Sequence, residues 1–285
     1  MGIVVINFSY SQKQLNFDVD NDLYFDRDFY YSSGIFLSLT STKVKEEFFH
    51  IDNFKLGQLI YTPSSRYESD PNKYDYPYSG YLFLELTKQK QISDYSSFTL
   101  GGNIGITGDA SLAKEMQNLY HDIVLNLPNL EWKSQMPQEF QINLVANYYR
   151  GFTLGDNINF TTEFYTRLGT YQLMTGINIG FLFGELKWFS LLDNIINNSN
   201  NLSIYIGTSQ EYYLHDYKLE GSLFNENAEL TMLPNKYRNT IEVGFQKRIN
   251  KLQVLTTFNS MSKDTHLQRT LRHPFLKISL SYKLD

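Results

Sequence analysis

Phe140-Gln141-Ile142-Asn143-Leu144-Val145-Ala146-Asn147-Tyr148 is the stretch that decides the fold class. Phe140, Ile142, Leu144, Ala146 and Tyr148 share one face of an extended chain, while Gln141, Asn143 and Asn147 fall on the other. The same period of two returns along the chain. Before it come Leu15, Phe17 and Val19; Ile35, Leu37 and Leu39; Leu56, Gln58 and Ile60; Leu82, Leu84 and Leu86; and Phe98, Leu100, Ile104 and Ile106. After it come Ile158, Phe160, Thr162, Phe164 and Leu168; Leu173, Ile177, Ile179 and Phe181; Leu202, Ile204 and Ile206; Ile241, Val243 and Phe245; Leu252, Val254 and Phe258; and Leu276, Ile278, Leu280, Tyr282 and Leu284.

That makes about twelve strands, many of roughly 9 to 13 residues, an even number and a length suited to tilted membrane-spanning strands. One face is Leu, Ile, Val and Phe; the other is Asn, Thr, Gln, Ser and occasional charge, as lipid outside and a polar interior require. The fold class expected is all-β, an antiparallel transmembrane barrel of about twelve strands. Closure leaves no edge strand open to water or lipid. Connections alternate between tight, as at Ile249-Asn250-Lys251, and long and polar, as at residues 63–79 and 215–235.

Composition agrees and narrows the function classes. Hydrophobic residues are 42% of the 285, but no run approaches the roughly 18 apolar residues of a membrane helix. The aromatic share of 16%, with 22 Tyr and 21 Phe against 2 Trp, suits long strands and interface girdles, although an aromatic-rich soluble sandwich has the same composition. A net charge of −5 without a basic run gives no support to nucleic-acid binding, and without cysteine there is neither a disulfide framework nor a thiol nucleophile. Residues 1–12, with Ile3, Val4, Val5, Ile6 and Phe8 before Ser9-Tyr10-Ser11-Gln12, are compatible with the remnant of a secretory leader, although the segment lacks a basic n-region and is too short to be complete. Residues 13–285 are then one barrel domain.

One segment departs from the strand pattern. Leu112, Met116, Leu119, Tyr120, Ile123 and Leu127 recur at helical spacing, while Gln117 and His121, four apart, share another stripe. A short helix would therefore present an imidazole beside an amide. No Gly-x-Ser-x-Gly elbow, His-Glu-x-x-His, Walker loop or Gly-x-Gly-x-x-Gly occurs. The first strand instead leads into Asp18, Asp20, Asn21, Asp22, Asp26 and Asp28, then Tyr30-Tyr31-Ser32-Ser33-Gly34. Such oxygen ligands suit a hard cation such as calcium, although the spacing is not an EF-hand and a solvated loop has the same composition. With His121, they suggest a histidine base activating water, with a cation and an amide stabilising the oxyanion of an ester.

Read in order, Asn21-Asp22-Leu23-Tyr24, Asp28 to Gly34, Gly57 to Pro63, Asp75-Tyr76-Pro77-Tyr78-Ser79-Gly80, Gly105-Ile106-Thr107-Gly108, Gln117 to His121 and Glu131-Trp132-Lys133-Ser134-Gln135 resemble the outer-membrane lipid A 3'-O-deacylases. The resemblance covers residues 15 to 150 by motif and the remainder by strand pattern. It implies a twelve-stranded barrel in the bacterial outer membrane, with its active site between the barrel interior and the lipid-facing leaflet. It also implies calcium-dependent release of the 3'-linked acyloxyacyl group of lipid A. On that resemblance His121 is the general base, Asn21 helps form the oxyanion hole, Asp22 with Asn21 serves Ca2+, and Ser32 stands for a threonine that contacts substrate or organises the site. Gln117 supports, while Arg66, Lys73 and Tyr31 are the residues expected on the substrate side. The chain departs from the family at Phe29 after Asp28, although Asp26-Arg27 offers an Asp-Arg just upstream. It departs again at Asp75-Tyr76-Pro77-Tyr78, which lacks an arginine, and at Glu68, which falls near the place of an active-site lysine. The partners expected are lipopolysaccharide as substrate and the outer-membrane bilayer, with the chain a monomer. The alternatives from the residues alone are an outer-membrane phospholipase and a catalytically silent barrel.

Overall fold

The computed structural model describes residues 11–25, 28–45, 48–184 and 202–284. Twelve strands among them pair antiparallel with their sequence neighbours, and the first closes on the last. They are β1 (Ser11–Asn21), β2 (Tyr30–Lys45), β3 (Phe48–Thr62), β4 (Ser79–Ser93), β5 (Ser96–Thr107), β6 (Phe140–Gly155), β7 (Ile158–Gly169), β8 (Gln172–Phe183), β9 (Ser203–Asp216), β10 (Tyr237–Ile249), β11 (Leu252–Ser262) and β12 (Arg272–Lys283). Each alternating stretch read from the sequence lies on its own strand, with Leu202 and Leu284 one residue outside β9 and β12. Two short helices, α1 (Ala113–Tyr120) and α2 (Tyr217–Glu220), sit in the connections; no helix among the described residues is long and apolar enough to cross a membrane.

The alternation sets the register. On β6, Phe140, Ile142 and Leu144 face outward and are exposed, while Gln141 and Asn143 are buried inside. A slip by one residue would exchange the two faces, so lipid outside and hydrogen bonds inside fix the pairing. Closure begins at Asn21↔Leu276 and runs to Gln14↔Lys283.

The long connections gather at one end of the barrel and the short ones at the other. Asn250, with φ 57°, turns β10 into β11 in two residues. Two connections break the rule: Thr170-Tyr171 joins β7 to β8 tightly at the long-loop end, and residues 184–202 form a long connection at the short-turn end, most of it outside the described residues. Residues 1–10, Asp26 and Arg27 also lie outside them, so the leader reading and the upstream Asp-Arg have no structural account; Ser11 and Gln12 already belong to β1.

The tyrosines do more than girdle the barrel. Tyr30, Tyr31, Tyr61, Tyr74, Tyr76 and Tyr78 form a buried cluster with Trp132 inside the long-loop end. A phenol supplies packing area and a hydroxyl that must find an acceptor. Accordingly Tyr30 donates to Asp75 at 2.6 Å, Tyr31 to Asp20 at 2.6 Å and Tyr76 to Asp264 at 2.7 Å. Below this plug the lumen is a polar cavity of about 560 Å³.

Candidate active site on the outer wall

The helix α1 lies against the outside of the barrel wall. It packs on β3 and β4 at the long-loop end, where Gln58 donates to the Ser111 carbonyl at 2.6 Å. Gly80 permits this approach, since a Cβ there would meet Ser111 Oγ at 2.2 Å and the Ala113 Cβ at 2.4 Å. The orientation inverts that of a helix on a soluble protein. Ile123, in the π-helical turn His121–Leu125 that continues α1, is 74% exposed; Leu112, Leu119, Tyr120 and Val124 are exposed too, while Gln117 is buried and His121 is 1% exposed. Lipid takes the apolar stripe and the barrel takes the polar one.

Between this helix and the outer faces of β1 and β2 lies a cavity of about 300 Å³. Val19, Ile35, Ile60, Met116 and Ile123 supply apolar walls; Asn21, Asp28, Ser32, Gln117 and His121 supply the polar groups. A pocket of this kind suits a ligand with an apolar body and a polar end.

Asp28 organises the polar end. Its Oδ2 is 2.9 Å from His121 Nε2, across 93 positions of sequence, and its Oδ1 accepts from Gln117 Nε2 at 3.2 Å. Arg66 adds an ion pair of Nε to Asp28 Oδ2 at 3.4 Å and a hydrogen bond to the Asp28 carbonyl at 2.9 Å. Gln117 is fixed in turn because its Oε1 accepts from Trp132 Nε1 at 2.9 Å. On its other side the imidazole faces the Pro128 carbonyl, 3.3 Å from Nδ1. The hydrogen bond to Asp28, opposed by burial and aided by the charge of Asp28, raises the His121 pKa above the usual imidazole value.

Asn21 lines the cavity with its Oδ1 accepting the Leu23 N–H at 2.7 Å, which leaves its NH2 as the donating end. Ser32 bonds through its hydroxyl to Thr62 at 2.7 Å, beneath the cavity floor. Asp22 is fully buried behind the wall: Oδ2 accepts the Phe29 N–H at 3.0 Å and stands 3.6 Å from His273 Nε2, while Oδ1 has no hydrogen-bond partner among the described residues. Burial pushes its carboxyl well above the ordinary range. Among the described residues no group of three or more His, Asp or Glu side chains is placed to hold a metal ion.

The other residues expected on the substrate side lie elsewhere. Lys73 pairs with Glu68 at 3.2 Å on the exposed loop after β3, away from the cavity. Tyr31 turns into the lumen toward Asp20. Arg66 reaches the site but is held by Asp28. Asp28 entered the sequence reading within the acidic run and not as the partner of His121, Thr62 and Trp132 stood in the family motifs without roles of their own, and His273 was not part of that reading.

The family model described as outer membrane protein LpxR matches residues 3–284. The chain belongs to the LpxR family. Among solved structures, LpxR from Salmonella typhimurium superposes with a TM-score of 0.79 at 19% identity, covering 94% of this chain and 99% of that one, and it shares the fold. The β domain of the Bordetella autotransporter BrkA (TM-score 0.44, 8% identity, 96% and 98% covered) and the Pseudomonas putida toluene transporter TodX (0.43, 7%, 96% and 89%) are remote barrels that carry no argument. No curated protein matches the chain in sequence. The family and the closed barrel place the LpxR-type chain in the bacterial outer membrane, and the apolar outer wall is its surface toward lipid.

Proposed function

We propose that this chain is a calcium-dependent esterase that releases the 3'-linked acyloxyacyl group of lipid A, with His121 as the base that activates water. The observation that carries the reading is the position of His121: a buried imidazole, 2.9 Å from Asp28, at the polar end of an apolar cavity on the lipid-facing wall. An ester carbonyl carried by an acyl chain can reach such a group without leaving the bilayer.

The chain's own groups divide the work. The Asp28 carboxylate can only accept, so Nε2 keeps its proton and Nδ1 is the nitrogen that exchanges one. In the imidazolium Nδ1 also carries a proton, donated toward the Pro128 carbonyl, so the ring becomes a base only after that proton is lost. As water attacks the ester carbonyl, Nδ1 takes its proton, and Asp28, bonded to Nε2–H on the far side of the ring, stabilises the imidazolium formed. The Asn21 NH2 is the donor available to the developing oxyanion. Collapse of the tetrahedral intermediate expels the sugar alkoxide, which recovers the proton from His121. Asp22, whose buried Oδ1 has no partner among the described residues, is the carboxylate suited to hold Ca2+, with Asn21 Oδ1 and Ser32 as neighbouring oxygens. Bound calcium would supply positive charge that polarises the ester carbonyl.

The test is incubation of the purified barrel with defined lipids in calcium and in EDTA, with the released acids identified. Release of a 3-acyloxyacyl acid from lipid A in calcium alone supports the reading. Release of fatty acid from glycerophospholipids instead would make the chain a phospholipase, and no release from either lipid would make it a silent barrel.

A further inference from the structure

Arg66 and Lys73, the two cations expected to meet lipid phosphate, are both paired with carboxylates, Asp28 and Glu68. Another guanidinium stands at the lipid surface. Arg272 is the first residue of β12 and points outward, opposite in phase to Phe275, Lys277 and Ser279, which line the lumen. Its Nε donates to Ser260 Oγ at 2.9 Å, Nη1 to Asn239 Oδ1 at 2.8 Å and Nη2 to the Ser260 carbonyl. These three bonds from β10 and β11 fix the plane of the fork on the outer wall. Ser262 lies opposite Arg272 in the ladder, and Asn239 lies opposite Gln210, so a polar row crosses four strands at this level.

The height of the row defines its surroundings. Below Arg272 the outward residues of β12 are Pro274, Leu276, Ile278, Leu280 and Tyr282. Ten residues at about 3.4 Å each, tilted by about 40°, span roughly 26 Å, the height of the apolar band of an outer-membrane barrel. Tyr282 thus lies at one interface and Arg272 at the other, among the headgroups on the long-loop side. Tyr237, 63% exposed, stands beside it on β10 as an interfacial aromatic. Among the described residues the outward positions of β9 to β12 carry no Asp or Glu. A planar fork in such a setting recognises the oxygens of a phosphate.

We propose that Arg272, braced by Ser260 and Asn239 at the outer rim of β10–β12, binds the phosphate of an outer-leaflet lipid headgroup. The occupant is a lipid and not free phosphate, because the face directly below the fork is a continuous apolar surface fit for acyl chains. The proposal stands apart from hydrolysis, since Arg272 is not among the residues that line the cavity.

The test uses the full chain carrying His121→Ala, so that lipid stays intact, and native mass spectrometry of lipid retained per barrel. The probes are bisphosphorylated lipid A and the same lipid with its phosphates removed. Arg272→Ala and Arg272→Gln are compared, the glutamine keeping a hydrogen-bonding group against Ser260 and Asn239, and the heat-dependent gel shift of the barrel checks folding. The expected result is about a tenfold loss of phosphorylated lipid in both variants, the scale of one lost charge-assisted contact, with no change for the dephosphorylated lipid. Unchanged retention of phosphorylated lipid, or equal loss of both lipids, would overturn the proposal. With His121 intact, a raised KM at constant kcat in Arg272→Gln would place the cleaved lipid's own phosphate on the fork; unchanged kinetics beside the binding loss would place a neighbouring lipid there.

Discussion

Replacing Trp132 with Phe isolates the relay behind the histidine. The indole Nε1–H donates to Gln117 Oε1 at 2.9 Å, and Gln117 Nε2 then donates to Asp28 Oδ1, the carboxylate that meets His121. Phenylalanine keeps a ring against Tyr78, whose centroid stacks 5.1 Å from that of Trp132, and removes only the donor. A buried amide oxygen left without its partner costs about 1–3 kcal/mol. Gln117 can recover part of that by rotating its amide, which turns an oxygen toward Asp28 in place of the NH2. If about 1–2 kcal/mol of the disturbance reaches the transition state, kcat falls roughly 5- to 30-fold. KM should change far less than kcat, because Trp132 does not line the cavity and Gln117, which does, keeps its place there. The assay is acid release from lipid A in detergent by the folded variant. Wild-type kcat in Trp132→Phe would refute the idea that the relay positions Asp28.

Four further outcomes follow from the same geometry. His121→Ala should lower kcat by about 10²- to 10⁴-fold while the barrel keeps its heat-dependent gel shift, the usual scale for losing a general base. Because the bond to Asp28 raises the His121 pKa and the base must be neutral, kcat/KM should climb only above the ordinary imidazole range near 6.5; Asp28→Asn, which removes the partner of the imidazolium, should move that limb toward acid, and a limb that stays in place would count against the pair. The same pair contributes stability below the unfolded imidazole pKa, a contribution that fades as pH rises through the folded value. Asp22→Ala should abolish the rise in thermal stability that calcium gives the wild type, whereas an unchanged rise would place the cation elsewhere. Arg238→Met should cost about 3–5 kcal/mol in urea unfolding of the refolded barrel, because Asp216, 2.5 Å from Arg238, and Asp264, 3.3 Å away, would lose a buried partner. Burial pushes the Asp264 carboxyl up, but Arg238 and Lys218 draw it down to about 2, so its share of stability is present above the unfolded carboxyl pKa and is lost as pH falls toward 2.

The barrel was legible because a strand writes its two environments into alternate residues. Leu15, Phe17 and Val19 face lipid on β1, and Asn16, Asp18 and Asp20 face the lumen, with no need for information from another strand. Turn placement was less legible: nothing local to Thr170-Tyr171 says that this tight turn sits among the long loops. The tyrosines were ambiguous for a physical reason, since a phenol satisfies a membrane interface and a hydrogen-bonded plug equally well. In the site, the amphipathic spacing revealed the helix and placed Gln117 and His121 on one stripe. Which stripe meets protein depended on the solvent, and here lipid reverses the usual choice. The partners of His121 could not be read at all, because Asp28 reaches it only after β1 and β2 pair and α1 docks over Gly80. His273 meets Asp22 for a similar reason: the closing register Asn21↔Leu276 brings the start of β12 beside the end of β1.

The most direct test of the central claim is mass spectrometry of lipid A from Gram-negative cells expressing this chain behind a complete signal peptide, alongside cells expressing His121→Ala at equal levels in the outer membrane. The account predicts lipid A lighter by one acyloxyacyl group with the wild type and unchanged with the variant. Intact lipid A in both, with the barrel folded and inserted, would contradict it.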